Sequence, residues 1–261
     1  MIERKLVTIV VPAKDEESAI GATLDALPVN TLSTIGFDSE VVVLDGNSTD
    51  ATVDIALAWG AIVVRDRGQG KGAAVREARQ ALRGDYTVMM DADGTYAADA
   101  IPRVLDPLHR DEADIVMGNR RKQTGAMTGV HRFGNAMLSL SATALYGRRC
   151  PDLCTGLWGF RTEALRALPM QSTGFELEAE LFSLASRLNF RIQHTPVDYL
   201  PRAGTSKLST MDGFRIGWTL VRSRFQDLPP ALPEPSGLGH HNPVRLRAKG
   251  NEVRSPDEVQ E

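Results

Sequence analysis

The sequence predicts an α/β fold built on a mostly parallel sheet with helices on both faces. Two patterns carry this reading. Short β-branched runs alternate with segments of helical spacing through the first half of the chain. The runs are apolar almost throughout, as strands buried on both faces are. In such sheets ligands bind outside the carboxyl ends of the strands, so the loops after each strand are where chemistry is to be sought.

Residues 6–11, 40–44, 61–64, 86–90 and 114–117 read as strands. Residues 16–27, 50–59, 71–82 and 98–109 read as the helices between them, from their spacing of Ala, Leu, Ile and Val. From about Val130 the pattern changes to longer helices, 133–146 and 175–189, with short strands at 158–160 and 191–197. This half is expected to complete the same domain and supply the second substrate's site. After Leu228 the composition shifts to Pro229, Pro230, Pro233 and Pro235, then Gly, His, Arg and Glu with few apolar residues. Such a tail buries too little surface to offset its ordering entropy. One domain over residues 1–227 and a disordered tail over 228–261 are therefore expected.

A chain of 261 residues is long enough for one large α/β domain with a sizeable core. Its net charge of -3 argues against a nucleic-acid binder, which would be clearly basic. The only cysteines, Cys150 and Cys154, lack the second pair of a structural zinc site and read as thiols of a reducing compartment. No stretch approaches the ~20 apolar residues that span a bilayer. The chain starts directly into its first strand, with no charged region, apolar stretch and cleavage site. A cytoplasmic protein is expected.

Asp91-Ala92-Asp93 ends the fourth apolar run. Two carboxylates one residue apart in a loop suit a hard divalent cation. Mg²⁺ or Mn²⁺ takes oxygen ligands, commonly one or two carboxylates with substrate phosphates. The same spacing also occurs in plain turns, where Asp bonds its own backbone. The first strand ends in Pro12-Ala13-Lys14-Asp15-Glu16, where Asp15 also reads as a helix N-cap. The second ends in Asp45-Gly46-Asn47-Ser48-Thr49-Asp50, a turn and cap, with Asp45 placed to bond a ribose or base.

Gly68-Gln69-Gly70-Lys71-Gly72 follows the third strand and opens a helix, whose N–H groups and lysine charge suit a phosphate. It is not a P-loop, because Arg65 stands where the first Gly would be and no Ser or Thr follows the lysine. Gly68-x-Gly70-x-x-Ala73 matches a relaxed dinucleotide fingerprint, which makes a nicotinamide-binding oxidoreductase the rival reading. Against it, the glycines follow the third strand rather than the first, and a ribose-binding Asp91 has no need of Asp93. Glu176, Glu178 and Glu180 stand at i, i+2 and i+4, so Glu176 and Glu180 share a helix face and Glu178 points roughly opposite. Acids at a helix N-terminus suit its dipole; Glu178 is taken as the inward member. Residues 208–225 read as an amphipathic helix that either lies on a bilayer surface or packs on the protein's own sheet.

The strand-end motifs above, with Gly94 and Thr95, resemble in order and spacing family 2 glycosyltransferases of the GT-A fold. Gly118-Asn119-Arg120, His131-Arg132-Phe133-Gly134-Asn135, residues 155–161, residues 174–178 and Arg202-x-Gly204-x-Ser206-Lys207 look like the polyprenyl-phosphate branch. That branch includes dolichyl-phosphate mannose and glucose synthases. The resemblance covers roughly residues 6–225. It implies a Rossmann-like, GT-A-type sheet and a metal-dependent, inverting hexosyltransferase. The donor would be a nucleoside-diphosphate sugar of the GDP-mannose or UDP-glucose type, and the acceptor a polyprenyl phosphate.

By this resemblance Pro12, Lys14, Glu16 and Asp45 embrace the nucleoside, while Lys71, Arg202 and Lys207 serve the donor's phosphates. Asp91 faces the ribose or an ordered water, and Asp91, Asp93 and Thr95 form the set for Mg²⁺ or Mn²⁺. Arg120, Arg132 and Asn135 receive the anionic acceptor, and Asp93, Glu178 and Arg120 carry the catalytic step. Three departures stand out. Many relatives have two acids where this chain has Asp45-Gly46, which leaves guanine and uracil both open. A Gln or His often stands where this chain has Thr95. Relatives often carry transmembrane helices after the catalytic domain, so contact here is expected to be peripheral, on the cytoplasmic membrane face. The alternative is a soluble hydroxyl acceptor. A phosphate monoester, already ionised near neutral pH, attacks without a general base, whereas a hydroxyl requires one.

Overall fold

A computed structural model of the chain describes residues 4–66, 68–123, 129–201, 210–228 and 245–246. β1 (Lys5–Ala13), β2 (Phe37–Asp45), β3 (Ile62–Arg65) and β4 (Tyr86–Met89) are parallel, in the order β3-β2-β1-β4. β5 (Ile115–Gln123), β6 (Trp158–Arg161) and β7 (Ile192–Tyr199) extend the sheet as β4-β6-β5-β7. β6 runs antiparallel to both neighbours, and β7 is parallel to β5. A two-residue strand, β8 (Arg245–Leu246), lies antiparallel along β3. The rest of the tail beyond Leu228 lies outside the described residues.

Strand side chains alternate between faces, and here both faces are dry. Val7, Ile9 and Val11 of β1 enter one core with α1 (Ile20–Asp25), α2 (Val29–Thr34), α3 (Thr52–Trp59) and α5 (Ile101–His109). Val10 enters the other core, under α4 (Lys71–Ala78), α6 (Gly129–Tyr146), α7 (Thr162–Ala167), α8 (Leu177–Arg187) and α9 (Thr210–Phe225).

The elements differ from the sequence reading mainly at their ends. The first helix begins only at Ile20, because the preceding residues are bonded to the next loop instead. Asp15 is therefore not an N-cap; it adopts a left-handed backbone with φ 49°. α2 and α7 were not anticipated, since six residues are too few for a helical period to repeat. β5 runs well past residue 117 into a polar segment that pairs with β7, with a register shift between Arg120 and Lys122.

The β6 strand and α5 approach too closely for a side chain. A Cβ on Gly159 would lie 2.3 Å from Val104 Cγ1. Gly159→Ala is expected to cost about 1–3 kcal/mol by overpacking, read by urea denaturation. Adding Val104→Ala should recover part of that loss; purely additive effects would contradict the contact.

Candidate functional site

All four parallel strands end at one edge of the sheet, and a cavity of about 460 Å³ opens there. Its strand side is formed by Pro12, Lys14 and Glu16 after β1, Gly46 after β2, Asp66 after β3, and Asp91 with Asp93 after β4. Gly70 and Lys71 of the α4 entry face them, with Phe175 and Glu178 at the α8 entry and Ile216 of α9. Cys154 also lines it, and burial pushes its thiol up to about 12, so it is no nucleophile near neutrality.

Lys71 is the centre of the site. Its Nζ donates to Asp91 Oδ1 and to Glu178 Oε1, each at 2.6 Å. Burial alone would lower the ammonium's affinity for its proton, but the two carboxylates outweigh it and hold Lys71 charged. Glu178 is pushed upward by the same burial, with Lys71 opposing. Its neighbours on α8 have other work. Glu180 accepts from Gln171 N and Ser172 N, and Glu176 from Thr173 N and Gly174 N. The helical period thus sends Glu178 into the cavity and spends Glu176 and Glu180 on the 171–174 loop.

Asp93 is buried, and its Oδ1 accepts from Thr95 N at 3.0 Å and Thr95 Oγ1 at 2.6 Å. Thr95 is fully buried behind it and does not line the cavity. In this structure the Thr95 hydroxyl, expected as a third ligand, donates to Asp93 and orients it. Among the described residues no three His, Cys, Asp or Glu side chains group to hold an ion. Two hard carboxylate oxygens on a cavity wall still fit Mg²⁺ or Mn²⁺, which commonly completes its shell with substrate phosphates and water.

The wall after β1 is laced to the loop after β2. Asp15 N donates to Ser48 Oγ and Thr49 N to Asp15 Oδ1, while Glu16 N donates to Thr52 Oγ1. Glu17 and Asp50 close the lacing from either side. Asp45 is fully buried behind this wall, accepting from Ser48 N at 3.0 Å and Arg65 Nε at 3.1 Å. Asp45, expected to meet a ribose or base, here bonds to the protein itself. Period-two alternation turns Leu44 and Gly46 to the cavity and Asp45 away from it.

The glycines around Lys71 serve packing. A Cβ on Gly70 would meet Thr173 O at 2.5 Å, and one on Gly72 would meet Ser172 O at 2.7 Å. Gly70 also has φ 110°. They let α4 press against the 171–174 loop, which accounts for the spacing that suggested a dinucleotide fingerprint.

Arg120 and Asn135, expected to receive the acceptor, are both turned to Asp152. Arg120 Nε and Nη2 fork onto Asp152 Oδ2 and Oδ1 at 2.7 and 2.6 Å, and Asn135 Nδ2 reaches Oδ1 at 2.9 Å. Arg120 also lies over the Tyr199 ring. The Arg120–Asp152 pair is nearly solvent-free and forms a buried strut under α6. Asp152 has no sequence signal; it stands in an irregular loop between the cysteines. Arg132 is exposed at the start of α6 and does not line the cavity. Arg202 and Lys207 lie outside the described residues.

The mostly parallel sheet flanked by helices is a GT-A-type fold. A family model described as Glycosyl transferase family 2 matches residues 8–168. The chain is 33% identical over 236 residues to the low-salt glycan biosynthesis hexosyltransferase Agl6 of Haloferax volcanii, covering 89% of this chain but only 56% of that protein. It is 34% identical over 217 residues to a dolichyl-phosphate hexose transferase of the same organism, covering 82% and 92%. Glucosyl-3-phosphoglycerate synthase of Mycobacterium tuberculosis, solved with Mn²⁺, UDP-glucose and phosphoglyceric acid, matches with a TM-score of 0.65 and 25% identity, covering 84% of this chain and 80% of that one. The protein belongs to glycosyltransferase family 2. The nicotinamide-binding alternative is set aside.

Removing Asp152 would strand the buried Arg120 guanidinium. Asp152→Ala is expected to lose about 3–5 kcal/mol in chemical denaturation. An unchanged midpoint would mean that Arg120 has another partner.

Proposed function

We propose that the protein is a divalent-cation-dependent, inverting glycosyltransferase that moves a hexose from a nucleoside-diphosphate sugar to a polyprenyl phosphate. One observation carries the choice of acceptor. α9 closes the cavity with one face and exposes an apolar stripe on the other. Ile216 lines the cavity and Leu220 is buried, while Met211, Phe214, Trp218 and Phe225 are 65%, 74%, 66% and 77% exposed. α6, packed beside it, exposes Phe133, Met137 and Leu140. Tyr146 Oη donates to Leu220 O, and Arg187 to Ser223 O and Gln226 O, so α9 is pinned in place. A lipid lying on these stripes has its phosphate within reach of the cavity mouth. Exposed aromatics with arginines among them suit a bilayer surface. No described helix is long and apolar enough to cross one.

The donor's nucleoside lies along the ends of β1, β2 and β3, contacted by Pro12, Lys14 and Glu16, with its diphosphate towards β4. Asp93, with Asp91 beside it, would hold Mg²⁺ or Mn²⁺, which supplies neutralisation of the charge left on the departing diphosphate. Lys71, held protonated, adds a fixed positive charge on the same side. By the family resemblance Arg202 and Lys207 close over the phosphates, and Arg132 guides the acceptor's phosphate. The acceptor oxygen needs no base, being already ionised, so Glu178 acts by holding Lys71 rather than by taking a proton.

Thermal-shift measurements with UDP, GDP and NAD, each with and without Mn²⁺, test the donor half. Stabilisation by UDP or GDP that depends on the metal is expected; stabilisation by NAD alone would reject the reading. Labelled donor and polyprenyl phosphate should carry label into the organic phase, and Asp93→Asn should slow that transfer on the order of 100-fold. Label moving only to a soluble acceptor would reject the lipid assignment.

A further inference from the structure

We propose that Asp66 reads the base of the donor, accepting a hydrogen bond from the ring N–H of a keto base: N3–H of uracil or N1–H of guanine. This rests on the cavity being the nucleotide site.

Placement comes first. Asp66 follows β3, and its backbone N–H donates to Asp45 O at 2.9 Å, continuing the ladder by one residue. Along the sheet the strand ends run β4, β1, β2, β3, so Asp66 is three strands from the acids of β4. At about 4.8 Å per strand that is about 14 Å. A nucleoside diphosphate with its diphosphate at Asp93 and its ribose near β1 brings its base to the β2–β3 end.

Chemistry comes second. Asp66 Oδ1 accepts from Gly68 N, while Oδ2 is buried, with no hydrogen-bond partner among the described residues. Burial pushes this carboxyl up, and Asp45 adds to the effect. A buried acceptor without a donor costs about 1–3 kcal/mol, and Asp66 lines the cavity. A donor brought by the ligand would remove that cost. Beside it Gly46 lines the cavity without a side chain, and Asp45 is turned away and fully bonded. At the β2–β3 end Asp66 is the carboxylate left to meet a base edge. Uracil and guanine offer a ring N–H there, whereas cytosine N3 and adenine N1 offer a lone pair that a carboxylate repels.

Calorimetric titration of the full chain with UDP, GDP, CDP, ADP and pyrophosphate, all with Mn²⁺, tests this against Asp66→Asn. The substitution is isosteric and keeps the acceptor for Gly68 N; the variant's unliganded melting temperature confirms that it folds. The parent should bind UDP or GDP at least about tenfold more tightly than CDP and ADP, and which of the two it binds identifies the base. The variant should lose about tenfold or more for that nucleotide and nothing for pyrophosphate. Its preference over CDP or ADP should narrow, because the new amide donates to their ring nitrogen. Equal losses for all ligands, as from a ribose contact or a distorted loop, would overturn the proposal, as would no loss at all. A parent that binds no nucleoside diphosphate would instead overturn the nucleotide reading of the cavity.

Discussion

The buried ammonium of Lys71 holds this structure's working edge together. Asp91 belongs to the loop after β4 and Glu178 to α8, elements far apart in sequence. Two partly buried carboxylates facing one cavity repel each other and lose hydration; a single cation between them reverses both effects. The cation arrives there only because α4 lies tight against the 171–174 loop. Gly70 and Gly72 permit that approach, and Glu176 and Glu180 hold the loop they press upon. The lysine, its glycines and three glutamates therefore form one device, whose output is the position of Asp91 and Glu178.

The same economy sorts the other carboxylates. A period of two along β2 puts Asp45 behind the wall and Gly46 on it. A hydroxyl and an N–H from Thr95 turn Asp93 so that its buried carboxyl lies at the cavity. Bonds between the loops after β1 and β2 fix the stretch that would meet a nucleoside. The opposite rim is apolar, with Phe175 and Ile216 leading out to the stripes of α6 and α9. A polar floor and an apolar rim are what the proposed charged donor and lipid acceptor would require together.

Much of this was legible in the sequence, and the limits have physical causes. Apolar runs and helical spacing gave the strand–helix alternation, because periodicity is a local property. Asp91, Asp93 and Glu178 could be picked out because they stand at strand ends or at a helical offset. The pairing of Arg120 and Asn135 with Asp152 could not be read, since it joins three elements that only the fold brings together. Asp66 carries no signal of its own in the sequence, because its meaning depends on β3 lying beside β2. Residues 208–225 left two uses open, and the structure shows an inner face that packs and an outer one that is bare.

The pH dependence of stability in Lys71→Met tests the central claim most directly. Without the ammonium to oppose its burial, Glu178 in the folded state holds its proton more tightly than in the unfolded chain. Folding then takes up protons, so the variant's stability must rise as the pH falls from neutrality towards the ordinary carboxylate values near about 4. The account predicts a deficit against the parent of about 3–5 kcal/mol at neutral pH that shrinks on acidification. A deficit that stays constant across that range would show that Lys71 contributes packing alone, and would contradict the account.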